Sequence, residues 1–169
     1  NIKIVDSKKI KKYNSIFKRK IKIAFFSSDI NQAHSVTYFL KPVLKNINKN
    51  KFEIYVISNS IKDEYKDQYK KYLNDWFNIR NLNDLEAINF IREKKIDIIF
   101  DLMGFTSENR INLFKNRIAP IQISWLGYCN TLGLKEMDYI FADENLIFND
   151  EEKYYTEKVI KLKNIWNTH

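Results

Sequence analysis

The chain has 169 residues, 44% hydrophobic and 15% aromatic, which is enough to bury the core of one domain and too apolar for a disordered chain. No run of eighteen apolar residues exists, so nothing reads as a membrane span, and the charged first twenty residues lack the apolar stretch of a signal peptide. The net charge of +8 raises nucleic acid as a partner, but the basic residues are scattered among acidic ones with no Arg-rich block, which argues against it.

Residues 1–19 are lysine-rich and show no period, and they read as a linker or the end of a preceding domain. Lys20 to Phe26 alternates and then turns apolar, which predicts a first strand, followed by a loop from Ser27 to His34. Val36, Phe39, Leu40, Val43, Leu44 and Ile47 recur at helical spacing, so 35–47 should be an amphipathic helix, with Pro42 as a point of kinking. Phe52 to Ile57 predicts a strand, Lys62 to Leu73 a polar helix, and Trp76 to Ile79 a short strand. Asn83 or Asp84 can cap a helix running to Lys94 with Leu85, Ile88 and Ile91 on its inner face. Strands follow at 96–102, 121–126, 138–142 and 159–162. Helices are expected over 109–116 and, as a short acidic one, over 151–157.

Strands that alternate with helices and are too apolar to have one wet face imply βαβ units. The expected fold is therefore an α/β, Rossmann-like parallel sheet with helices on both faces. In such sheets ligands bind beyond the carboxyl ends of the strands. Those ends carry Ser27, Ser28, Asp29 and His34; Ser58 and Asn59; Gly104, Phe105, Thr106 and Arg110; Gly127, Tyr128, Asn130 and Thr131; and Asp143. His34 is the histidine placed for acid–base work, against the plainer reading of a helix-entry residue bonded to backbone. Asp29 can orient it or form a turn. Arg110 can pair with an anion or face solvent. Gly127, which has no side chain, would let the backbone approach a ligand closely. No Gly-x-Gly-x-x-Gly, phosphate loop or Gly-x-Ser-x-Gly elbow follows any strand. One cysteine, Cys129, excludes an internal disulfide and suits a reducing, cytoplasmic setting. With two histidines it forms no zinc-ligand set, and no metal is expected.

Three stretches together resemble the amino-terminal lobe of the catalytic region of the O-linked N-acetylglucosamine transferases in their bacterial, tetratricopeptide-linked form, relatives of the Spindly-like proteins. They are Ile23-Ala-Phe-Phe-Ser-Ser-Asp29 with His34 to Pro42, Asp97-Ile-Ile-Phe-Asp-Leu-Met-Gly-Phe-Thr106 with Asn109-Arg110, and Ala119-Pro-Ile-Gln-Ile-Ser-Trp-Leu-Gly-Tyr128 with Thr131, Gly133 and Met137 to Asp143. The resemblance covers about residues 20–165. It implies one lobe of a GT-B glycosyltransferase, with residues 166–169 leading toward a carboxy-terminal lobe that supplies most of the nucleotide contacts. It implies an inverting, metal-independent transfer of N-acetylglucosamine from UDP-N-acetylglucosamine to Ser or Thr hydroxyls of an acceptor protein, with this stretch alone inactive. By position His34 matches the family's active-site histidine. Leu126, Gly127, Tyr128 and Thr131 match the loop lining the sugar pocket, and Gly104, Phe105, Thr106 and Arg110 match the middle loop. The chain departs from the family pattern in a longer Asp29–His34 loop, in Phe105 where Tyr or His is usual, and in Cys129-Asn130 where Pro-Gly is usual. A sugar- or protein-binding module derived from such a lobe is the alternative that the Phe105 and Cys129-Asn130 changes favour.

Overall fold

The computed structural model describes residues 19–30 and 34–167; apart from Arg19, the expected linker lies outside the described residues. Seven strands form one sheet: β1 (Ile21–Ser27), β2 (Phe52–Ser58), β3 (Asp75–Asn78), β4 (Ile98–Asp101), β5 (Ile121–Ser124), β6 (Tyr139–Ala142) and β7 (Lys158–Lys161). Their order is β3-β2-β1-β4-β5-β6-β7, and every neighbouring pair is parallel. The direction of winding reverses between β1 and β4, which places the topological switch point beyond their carboxyl ends.

Side-chain alternation shows how the sheet is covered. Ala24 and Phe26 of β1, with Ile99 of β4, join one core cluster, whereas Ile23 and Phe25, with Phe100, join another. Successive strand residues point to opposite faces, so each face needs its own cover. On the first face lie α3 (Asp84–Glu93), through Ala87, Ile88 and Ile91, and α4 (Ile111–Lys115), through Leu113 and Phe114. On the second lie α1 (Ser35–Asn46), through Val36, Leu40 and Leu44, and α2 (Lys66–Tyr69), through Tyr69. Beneath α1 the rings of Phe25 and Phe100 stack at 5.2 Å, and Phe141 meets Phe100 edge-on at 5.4 Å.

Several expected elements change. The helix predicted over 62–73 shrinks to α2 and one 3-10 turn, Lys70–Tyr72. Its first residues are taken instead by a turn in which Asp63 accepts from the Ser58 hydroxyl (2.7 Å) and the Asn78 amide (2.7 Å). Leu85 is exposed rather than on the inner face, which centres on Ala87, Ile88 and Ile91. The acidic helix expected over 151–157 is only a 3-10 turn, Glu152–Tyr154, and Glu157 turns inward. Helix α1 runs through Pro42 to Asn46.

Candidate functional site

The loops leaving β4 and β5 at the switch point are locked together by two glycines. A Cβ on Gly127 would stand 1.7 Å from the Leu102 carbonyl oxygen, and one on Gly104 would stand 2.3 Å from Cβ of Tyr128. Each loop therefore needs a glycine where the other crosses it. The close approach at Gly127 is to protein backbone, which is the physical reason for glycine there. Phe105 meets Tyr128 edge-to-face at 5.6 Å and is about half exposed. Gly104, Phe105, Gly127 and Tyr128 are thus brought together as one wall.

Just before that wall the chain is strained. Leu126 has φ 83, and Gly127 N–H donates to the Trp125 carbonyl at 3.2 Å, closing a three-residue turn. A non-glycine residue held there costs about 1–3 kcal/mol, and such strain persists only where packing over-determines it. Leu126 is buried, which supplies that packing.

Asp101 fixes the loop after β4. Its carboxylate accepts from the amides of Met103 (3.0 Å) and Gly104 (3.1 Å), and burial, partly opposed by these bonds, pushes its pKa up to about 6. The thioether of Met103 accepts weakly from the Ser27 hydroxyl (3.3 Å) and the Ser28 amide (3.2 Å), tying this loop to the end of β1. Farther along, Asn59 donates to the Glu108 carbonyl at 3.1 Å. Thr106 turns its hydroxyl back onto the Met103 carbonyl at 2.8 Å, so it serves the loop's own shape.

His34 opens α1. Its Nδ1 accepts the amide of Val36 at 3.3 Å, an N-cap bond, and its Nε2 stands 3.8 Å from Oδ2 of Asp29. The plainer reading of a helix-entry histidine is therefore met. The ring nevertheless keeps 41% of its side-chain surface exposed. With Nδ1 accepting, the ring proton sits on Nε2 and faces Asp29. Burial raises the Asp29 pKa, and His34 opposes the rise. The loops of β1 and β5 rise from strands two positions apart, roughly 10 Å at the usual inter-strand spacing.

Two further expected site residues are held by bonds within the chain. Arg110 donates twice to Asp84 Oδ1 (3.1 and 2.6 Å) and to the Ile79 carbonyl (3.1 Å), joining the start of α4 to that of α3. Thr131 donates to Glu157 at 2.6 Å and accepts from the amides of Gly133 (3.1 Å) and Thr156 (3.3 Å). Glu157 and Asp101 are the residues that sequence reasoning missed; an acid in a strand end or a charged stretch carries no pattern that reports such pairing.

The Glycosyl transferase family 41 model matches residues 1–167. A relative from Arabidopsis thaliana, described as a probable UDP-N-acetylglucosamine–peptide N-acetylglucosaminyltransferase SPINDLY, is 31% identical over 85% of this chain and 16% of its own length. A second protein of that plant, carrying the same description with the name SEC, is 26% identical over 86% of this chain and 15% of its own. A solved structure of a mutant O-GlcNAc transferase from Thermobaculum terrenum superposes with a TM-score of 0.82 at 31% identity, covering 88% of this chain and 29% of that one. The chain thus spans about one-sixth of the curated relatives it matches. With the model matched over nearly its whole length, the chain belongs to Glycosyl transferase family 41.

Proposed function

We propose that this chain is the amino-terminal, Rossmann-like lobe of a GT-B enzyme that transfers N-acetylglucosamine from UDP-N-acetylglucosamine to Ser or Thr hydroxyls of proteins, inverting the anomeric centre without a metal. The observation that carries the reading is the match to the solved O-GlcNAc transferase at a TM-score of 0.82, with the switch-point loops assembled as a wall. In this reading Phe105 and Tyr128 form one side of the sugar site. Direct displacement needs the acceptor hydroxyl held close to the anomeric carbon, and a carboxy-terminal lobe stabilises the leaving diphosphate. Residues 20–165 form the lobe, residues 1–19 lead in from a preceding domain such as a tetratricopeptide array, and the lobe alone is inactive.

The cap bond at Nδ1 shapes the role of His34. A base needs a free lone pair, and that lone pair faces Val36 N–H. His34 therefore acts as an orienting group on the acceptor side, its Nε2–H turned toward Asp29, and not as the base. The test is the full-length protein given UDP-N-acetylglucosamine and an acceptor protein, with mass spectrometry of Ser and Thr residues. Sugar-modified residues, and a loss of about 100-fold in kcat/KM for His34→Ala, are expected. Donor or protein binding without transfer would replace the enzyme reading by a binding module, and unchanged turnover in His34→Ala would remove the histidine from the mechanism.

A further inference from the structure

The loop that follows the Leu126 turn has almost no main-chain support. Among the described residues, no amide from Tyr128 to Gly133 donates to a main-chain carbonyl. The amides of Thr131, Leu132 and Gly133 go instead to side-chain oxygens of Asn130 (2.8 Å), Glu157 (2.7 Å) and Thr131 (3.1 Å). Glu157 lies between the 3-10 turn Glu152–Tyr154 and β7, and is 3% exposed. One carboxylate oxygen takes the Leu132 amide and the other takes the Thr131 hydroxyl at 2.6 Å. Charge-assisted bonds of this length are the strong kind, and a buried group that loses one partner bears its full desolvation cost.

We propose that Glu157 is the positioning residue of the sugar-site loop: its buried carboxylate, delivered from the β6–β7 connection, sets the path of residues 128–133 and thereby the placement of Tyr128 against Phe105. The role rests on the proposed transferase reading. The hydrogen-bond pattern requires an acceptor at both side-chain positions. The Thr131 hydroxyl accepts from two amides, so its proton must go to an acceptor. In Glu157→Gln one side of the new amide can still accept from Leu132, but the other presents N–H groups to a hydroxyl that already accepts twice. The Thr131 bond is lost although size and burial are kept. Thr131→Val removes the same bond from the other side, together with the acceptor of the Gly133 and Thr156 amides, and Thr131→Ser keeps all three.

The test has two arms. Hydrogen exchange is followed on this chain over residues 128–134. Glu157→Gln and Thr131→Val are expected to speed exchange at Leu132 and Gly133 at least tenfold, the pair together no more than Thr131→Val alone, with β1 and β4 still protected and Thr131→Ser like wild type. In the full-length protein, Glu157→Gln is expected to lower kcat/KM about tenfold to a hundredfold per folded molecule, mainly through KM for UDP-N-acetylglucosamine. Exchange within twofold of wild type in Glu157→Gln would overturn the proposal. So would a rise shared equally by β1 and β4, which marks general destabilisation, or kcat/KM unchanged in a full-length enzyme whose wild type is active. The exchange arm needs no transfer activity, so the positioning role and the proposed reaction fail separately.

Discussion

Gly127 and Gly133 sit in one loop under opposite demands. At Gly127 the obstacle to a side chain is backbone, since an added Cβ would meet the Leu102 carbonyl carbon at 2.7 Å and its oxygen at 1.7 Å, and a carbonyl within a packed sheet edge cannot swing aside. At Gly133 the space is open and only φ +63 resists substitution. Gly127→Ala is therefore expected to cost about 3 kcal/mol, as overpacking does, with the β4 and β5 loops pushed apart. Gly133→Ala should cost about 1–2 kcal/mol, the left-handed penalty alone. Urea unfolding of the two variants side by side measures the difference, and equal losses would mean that the contact between the loops is not tight. At His34 the same scale of argument separates orienting group from base. Its Nδ1 is engaged by helix α1, so His34→Ala removes a cap as well as a polar group, and the activity loss has to be read per folded molecule.

Among the elements, α3 shows which local signals survive into the structure. Asn83 accepts the Glu86 amide at 3.0 Å while the Glu86 side chain accepts the Asn83 amide at 2.9 Å, a reciprocal capping box. Asn83→Ala should cost about 1 kcal/mol, seen as a lower urea midpoint with unchanged slope, and a change below a few tenths would show that packing alone holds the helix start. This cap, and the strands, are legible in the sequence: the strands in the middle of the sheet carry short apolar runs because the sheet is covered on both faces. The full extents of the 62–73 and 151–157 stretches are not legible, since distant partners decide their shape. Asp63 is claimed by Ser58 and Asn78, and Glu157 by Thr131 and Leu132. The site divides the same way. Topology points to the strand ends that carry Phe105 and Tyr128, but that the two rings meet is visible only in three dimensions. Arg110, Thr131 and Thr106 are polar residues at the right ends whose bonds turn inward, and only three-dimensional pairing reveals that.

At the scale of the whole molecule, buried and bonded carboxylates at the sheet ends pull stability in opposite directions as pH changes. Burial raises the Asp97 pKa, but Arg19, bound at 2.7 Å through both terminal guanidinium nitrogens, and the Lys22 amide bring it below the ordinary carboxylate value. The Asp143 pKa is lowered first by the Trp166 amide at 2.8 Å and also by those of Leu146 and Asn145, against some burial. A depressed folded pKa gives stability that is present above the unfolded value of 3.8 and lost as pH falls through the folded one. Asp101 has the other sign. Its folded pKa of about 6 lies above 3.8, so its contribution is fully present below 3.8 and is lost as pH rises through about 6. The two windows meet at 3.8, so these three carboxylates together contribute most near that pH and less on either side. The loss attached to Asp101 on going to pH 7 is roughly 3 kcal/mol. Asp101→Asn cannot ionise, so although it gives up one of the two loop bonds at every pH, its stability should not fall over pH 4–7 through this group. Thermal unfolding of both proteins across pH 3–8 tests the assignment: the wild-type Tm should decline relative to Asp101→Asn between pH 4 and 7, while both fall together below pH 4 as Asp97 and Asp143 take up protons. Parallel curves over pH 4–7 would mean that Asp101 ionises as easily in the folded chain as in the unfolded one, and the loop after β4 would then need another explanation for holding a buried acid at the switch point.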